Sequence, residues 1–183
     1  KESSSKTSEQ QWTMNVEASK GGEATKALTL GTTTISGAWA TTEKVAVMNA
    51  TNATYYGTLS PKTAGASARL SGTLTGSFAV NDKLNLYFPS TAYVSGTGVV
   101  LDYTGQDGTM ATIATKYDYS VASVTATTVD NASQSFETTA ATFANKQAIA
   151  GFTFVNGTTP IMVLKMVISA ASGKLVQKAT LSS

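Results

Sequence analysis

From Trp12 onward the chain alternates. Trp12, Met14, Val16 and Ala18 are apolar, while Thr13, Asn15, Glu17 and Ser19 between them are polar. A period of two sends successive side chains to opposite faces, so residues 12–19 are predicted to form a half-buried strand. Gly21-Gly22 interrupts the pattern. A short strand over 27–30 follows, with Leu28 and Leu30 on one face. The segment 36–40 carries Trp39, and Glu43-Lys44 leads into a strand over 45–50.

Further strands are predicted at 55–59, 68–74, 83–88, 98–103, 110–115, 119–127, 148–155, 161–170 and 175–181. The intervening residues are turn formers: Ser60-Pro61, Asn81-Asp82, Pro89-Ser90, 105–108, Asn156-Gly157 and Ser172-Gly173. Asn156-Gly157 between two apolar runs is a strong hairpin signal. Strands recurring about every 8 to 12 residues with turns between them indicate an antiparallel β-sandwich or barrel of about seven to nine strands. Helix should stay below about 15%, against roughly a third in an average domain. The one helical candidate is 138–146, where Ala140, Ala141, Phe143 and Ala144 could share a face, although Thr138, Thr139 and Thr142 are poor helix formers. Residues 1–10 contain no apolar side chain. Residues 1–11 therefore read as a disordered tether and 12–183 as a single domain.

Composition narrows the chemistry. Thr, Ala, Ser and Gly supply half of the 183 residues, and only 13% are charged, against about a quarter in a typical domain. Histidine and cysteine are both absent. That excludes zinc sites built from His or Cys, Ser-His-Asp and Cys-His catalysis, haem ligation by either residue, and disulfides. The net charge is +2 and Arg69 is the single arginine, so nucleic acid, which needs clustered Lys and Arg, is not an expected partner. No cofactor is expected. No apolar run reaches the roughly 18 residues that a membrane-spanning helix needs. The chain starts at Lys1 rather than Met, which fits removal of a leader or a cut at that point.

Paired carboxylates are the catalytic device that remains. Asp102 and Asp107 flank a Gly-containing loop and could bind calcium or act as an acid–base pair. The order of oxygen ligands that an EF-hand requires is missing, so Asx turns are the expected role. Asp118 reads as a polar position at an exposed strand start. Gly72 to Gly76 lacks the lysine and helix of a phosphate loop. Tyr55-Tyr56, Tyr87-Phe88, Tyr93, Tyr117 and Tyr119 could form a sugar platform if exposed and coplanar, but core or edge packing is the expectation. Trp12 and Trp39 are expected core anchors. No nucleophile has a base partner, so no enzyme is expected.

Several blocks of the chain resemble a fimbrillin of the Bacteroidales type. They are Met14-Asn-Val-Glu-Ala-Ser-Lys20, Ala24-Thr-Lys-Ala-Leu28, Ala38-Trp-Ala40 with Lys44-Val-Ala-Val47, and Leu70-Ser-Gly-Thr-Leu74. Also in order come Lys83-Leu-Asn-Leu-Tyr-Phe-Pro89, Asp102-Tyr-Thr-Gly-Gln-Asp-Gly-Thr109, Ala141-Thr-Phe-Ala-Asn-Lys-Gln-Ala-Ile149 and Ser172-Gly-Lys-Leu-Val176. The match rests on order and spacing over about residues 14 to 180.

The resemblance implies a transthyretin-like β-sandwich, here the N-terminal one of the two domains usual in the family. It also implies a pilin or pilin-like subunit at the cell surface, anchored in the outer membrane through a lipidated leader cysteine not in this sequence. Its partners would be other fimbrial subunits and a host surface ligand. In the family an arginine-specific protease cuts a Thr-Arg-Ala-Leu site, the N-terminal strand leaves, and a strand from the next subunit fills the groove. The matching stretch here is Thr25-Lys26-Ala27-Leu28. Processing would thus fall between Lys26 and Ala27, with lysine in place of the expected arginine. The removable strand would be the one carrying Trp12, Met14 and Val16.

Stripping a strand that precedes a Gly-Gly link would expose an apolar groove and unpaired backbone groups, which β-strand addition could fill. Residues 12–19 serve equally well as the permanent first strand of a stable domain. From another class of function, a monomeric surface module binding a glycan or host ligand fits the same composition.

Overall fold

The computed structural model describes residues 10–20, 29–30, 35–169, 171–172 and 175–181. Among the described residues the chain is predominantly β, with helix confined to 7%. In order, the strands are β1 Gln11–Lys20, β2 Thr29–Leu30, β3 Ile35–Ser36, β4 Val45–Asn49, β5 Tyr55–Pro61, β6 Ser67–Thr75, β7 Lys83–Phe88 and β8 Tyr93–Val94. They continue with β9 Gly98–Asp102, β10 Ser120–Asp130, β11 Ser135–Thr138, β12 Ala141–Asn145, β13 Val155–Asn156, β14 Thr159–Pro160 and β15 Lys178–Leu181.

Eight of these form one sheet that closes on itself. Starting at β1, the neighbours are β6, β5, β4, β7 and β10, every pair antiparallel. β10 then pairs with both β11 and β12, and these two return to β1 in parallel. The arrangement is therefore antiparallel except at one seam. β11 and β12 share one position in the wall.

The alternation of β1 turns Trp12, Met14, Val16 and Ala18 into the closed interior, all of them buried. There they join Trp39, Leu59, Leu70, Leu74, Leu84, Leu86, Phe136 and Phe143. Each large side chain fully buried contributes about 1.5–3 kcal/mol. β4 reads Val-Ala-Val-Met without alternation, because both of its faces are covered. Val45 and Val47 face the interior cluster, while Ala46 and Met48 lie in a second cluster with Tyr87, Val99, Leu101 and Tyr119. A continuous apolar run is what burial on two sides demands. Part of that second cluster comes from a small sheet of β15, β9 and β8. At Gly72 a Cβ would meet the Thr58 carbonyl oxygen at 2.2 Å, so only glycine lets β6 lie this close to β5.

Five expectations change. Residues 110–115, expected as a strand, form a helical turn at Met110–Thr112 followed by a π-helical turn at Ile113–Tyr117. The Thr109 hydroxyl starts it by accepting the Thr112 N–H at 3.2 Å. The expected helix over 138–146 is instead the end of β11 and the whole of β12, with Ala141 and Phe143 inward and Thr142 and Ala144 outward. The strand expected over 161–170 does not form across 161–169, where every side chain is exposed. Of 148–155 only Val155 is in a strand, in the small hairpin of β13 and β14. That hairpin turns at Gly157-Thr158, one residue later than expected, with Asn156 paired to Thr159 and Gly157 at φ 61°. Residues 1–9 and 27–28 lie outside the described residues, and Gln11, assigned to the tether, already belongs to β1.

Candidate functional site

β1 occupies a slot with a partner on each edge. On one side Gln11 to Ser19 pair with β6, from Trp12 opposite Leu74 to Ala18 opposite Ala68. On the other, residues 13–15 pair with β11 and residues 18–20 with β12. Trp12 packs edge-on against Phe78 at 6.0 Å. Met14 and Val16 are fully buried. On the solvent face Arg69 of β6 donates to Glu17 of β1 at 3.0 Å and to Glu137 of β11 at 2.5 Å. The Glu17 hydrogen bond leads in holding the guanidinium's pKa above its ordinary value, with Glu137 adding to it. Being exposed, this clasp contributes little to stability.

The inward face of β1 does not end at Ala18. The same period carries Lys20 inward, its side chain 2% exposed. Its Nζ lies 3.5 Å from Glu43 Oε2 and 3.8 Å from Asp118 Oδ2, on carboxylates 1% and 3% exposed. Two aromatic faces complete the chamber, Phe88 with its ring centre 3.9 Å from Nζ and Trp39 at 4.3 Å.

Each member is held by its own local structure. A tight turn carries Glu43: its N–H donates to the Ala40 carbonyl at 3.0 Å, and its Oε2 accepts the Ala40 N–H at 2.9 Å. Trp39 is fixed by a two-way backbone bridge to Gly65 and by edge contacts to Phe88 and Phe143. Asp118 follows the π-helical turn and precedes β10, and its Oδ1 accepts Gln147 Nε2 at 3.3 Å. Gln147 Oε1 accepts the Tyr119 N–H at 3.0 Å, which fixes that amide beside Asp118.

The expectation that Asp118 sits at an exposed strand start is therefore corrected: it is 2% exposed. Tyr117 and Tyr119 on either side are buried as well. Lys20 and Glu43 were not singled out in the sequence. The signal for Lys20 was available, because the two-residue period that picks Trp12 and Met14 reaches it. Glu43 and Asp118 lie far from Lys20 along the chain, and no spacing rule connects the three.

The other carboxylate candidates are engaged in turns. Asp102 accepts the N–H and hydroxyl of Thr104 at 3.0 and 2.6 Å. The Thr104 hydroxyl is the main cause of a carboxyl pKa below the usual aspartate value. Asp107 accepts the Thr112 hydroxyl at 2.7 Å and both donors of Thr109 at 2.9 Å, and is lowered by them in that order. Among the described residues no group of three or more His, Cys, Asp or Glu is placed to hold a metal ion, and no helix is long and apolar enough to cross a membrane.

Of the aromatics, Tyr87, Phe88, Tyr117 and Tyr119 are buried, and Tyr56 packs against Phe78. Tyr55 and Tyr93 stack at 4.3 Å and 4°, with Tyr55 38% exposed. Lys26 and Ala27, the expected processing site, lie outside the described residues. No known protein-family model, no curated protein and no solved structure matches this chain.

Proposed function

We propose that this chain is a structural subunit of a surface fimbria, joined to its neighbours by β-strand addition at the position of β1. The observation that carries the reading is the slot itself. β1 has an apolar inner face and a hydrogen-bonded ladder on each edge. Its departure would leave an open groove between β6 and the β11–β12 wall, lined by interior side chains and unpaired backbone groups. An extended strand with the same alternation would restore both ladders.

Cleavage between Lys26 and Ala27 would free the strand's connection to the rest of the chain. Nicking alone leaves Trp12, Met14 and Val16 buried, so release also needs a competing strand. The transthyretin-like sandwich belongs to the same proposal: the closed sheet would be a flattened barrel whose opposite walls act as the two layers. Surface anchoring through a lipidated cysteine outside this sequence, and a host surface ligand as a further partner, complete it. Of the composition, the lack of His and Cys supports a structural rather than an enzymatic role.

The test is limited trypsin treatment followed by size-exclusion chromatography, on the natural chain and on Lys26→Gln. Assembly of the treated natural chain and none of the variant supports strand exchange triggered at Lys26. Equal assembly of both removes that trigger.

A second reading, a monomeric glycan- or host-ligand-binding module, draws on the Tyr55–Tyr93 pair, of which Tyr55 is exposed and Tyr93 partly buried. These rings stack face to face and cover one another, which leaves less flat surface than two rings side by side. Saturable glycan binding lost in Tyr55→Ala, without assembly, would favour it.

A further inference from the structure

We infer that Lys20 and Asp118 are the two ends of an intramolecular amide cross-link, with Glu43 as its proton carrier. An amine, two carboxyl groups and two aromatic faces share one chamber closed to solvent. Lys20 Nζ lies 3.8 Å from Asp118 Oδ2 and 3.5 Å from Glu43 Oε2, and none of the three side chains is more than 3% exposed. Lysine and aspartate do not condense in water, where both are charged and hydrated. Burial changes that in two ways. It penalises the ammonium–carboxylate form, which brings the neutral amine and neutral acid closer in free energy. It also fixes the reacting groups, and well-oriented pairs reach effective molarities of about 10⁵–10⁸ M.

The step balances without an external reagent. Lys20 first passes one ammonium proton to Asp118 Oδ2, giving an amine and a carboxylic acid. The Nζ lone pair then attacks Cγ, and the C=O pair moves onto Oδ1. Glu43 takes a second proton from Nζ and hands it to the Oδ2 hydroxyl. The Cγ–Oδ2 bond breaks, water leaves, and the carbonyl re-forms on Oδ1. One C–N bond is made, one C–O bond is broken, Glu43 ends as the carboxylate it began, and nothing is oxidised or reduced.

The surroundings distinguish the two carboxyl groups. Asp118 Oδ1, the oxygen that turns negative, accepts the Gln147 N–H at 3.3 Å, and a fixed donor at that position stabilises the developing charge. Glu43 Oε2 instead accepts the Ala40 backbone N–H while facing the amine, which holds an acceptor oxygen within reach of the Nζ protons. The product amide carries no charge. It removes an ammonium and a carboxylate from an interior where both are costly, and the expelled water makes the step hard to reverse.

One consequence rests on the strand-exchange reading: a linked Lys20 keeps β1 attached to Asp118, two residues before β10, even after a cut at Lys26. The bond would then divide the protein into exchangeable and locked molecules.

The experiment is the intact mass of the purified full chain after denaturation, followed by tryptic mapping. A mass one water below the sequence value is expected, with a branched peptide joining Lys20 to Asp118 and no tryptic cleavage after Lys20. The full sequence mass alone in folded protein, with no species one water lighter, or loss of water from any other pair, Lys20 with Glu43 included, overturns the assignment. Glu43→Gln should retain its β-type circular dichroism and recover the full mass; a water-loss mass in that variant overturns the role of Glu43. Lys20→Met keeps the apolar stem and must show the full mass. The mass of the natural chain decides without any variant, and it needs no fibre, so failure of assembly and failure of the cross-link are read separately.

Discussion

β1 and the segment 161–169 are built from the same β-forming vocabulary and meet opposite fates. β1 buries Trp12, Met14, Val16 and Ala18 and pairs along both edges. Residues 161–169, Ile-Met-Val-Leu-Lys-Met-Val-Ile-Ser, are at least as apolar. Yet Met162 and Leu164 are fully exposed, at 101% and 103%, and the segment joins no strand of the sheet. The difference is in patterning. β1 is polar at every second position up to Ser19, so a wall with one wet face satisfies it. The 161–169 run is apolar on both faces, like β4, and needs cover on both. β4 has that cover from the interior and from the β15–β9–β8 sheet; for 161–169 the described residues supply none. Strand propensity proposes a segment, and a partner on each demanding face places it.

The sharpest break in this comparison is between two lysines. Lys20→Ala leaves two buried carboxylates with neither an ammonium nor an amide partner and should cost about 3–5 kcal/mol. Lys165→Ala, in the exposed run, should change stability by no more than about 0.5 kcal/mol. Equilibrium unfolding in urea measures both; equal midpoints would mean that the Lys20 chamber is open to water.

Next comes the apolar pair. Met14→Ala should lose about 2–5 kcal/mol through lost burial and the cavity left behind, whereas Leu164→Ala should again stay within about 0.5 kcal/mol. Thermal melts of the two variants settle it. A large loss in Leu164→Ala would show that 161–169 is covered in solution.

The smallest effect is acid sensitivity. The folded carboxyl of Asp107 titrates below the ordinary 3.8, owing first to the Thr112 hydroxyl and then to Thr109. A depressed folded value favours the ionised form. Its stabilisation is complete above the unfolded value and disappears as pH falls through the folded one. Asp107→Asn should therefore flatten the loss of stability below about pH 4. Substitutions in 161–169, which holds no carboxylate, should leave that acid limb unchanged. Melts across an acidic pH series read the slope.

Where one face was wet and the other dry, the strands were legible. β1, β6 and β7 fall within a residue or so of their expected bounds because the alternation is strong and turn formers stand beside it. β12 was obscured because Ala141 and Ala144 have the same side chain but opposite burial, and alanine is equally at home in a helix. Met110 to Thr115 carried strand-like apolar residues, but Thr109 and Asp107 supplied capping hydrogen bonds that started a helical turn instead. The chamber was half legible. The period of β1 points Lys20 inward, but its counter-charges arrive through a turn and a loop from distant parts of the chain, a matter of closure that no local pattern records.

The parallel seam sets an order of events. β1 is the first of these strands to leave the ribosome, whereas its partners on the far edge, β11 and β12, end at Asn145. Its ladder with β6 can form once residue 75 has been made, but the wall cannot close until most of the chain exists. Throughout that interval β1 presents an unpaired edge and an apolar face, the exposure from which chaperones protect nascent chains. Pairing over such sequence separation is also slow. A chain built this way gains from staying unfolded until it is whole, and any device that holds its first strand in place acts on the element that waits longest for its second neighbour.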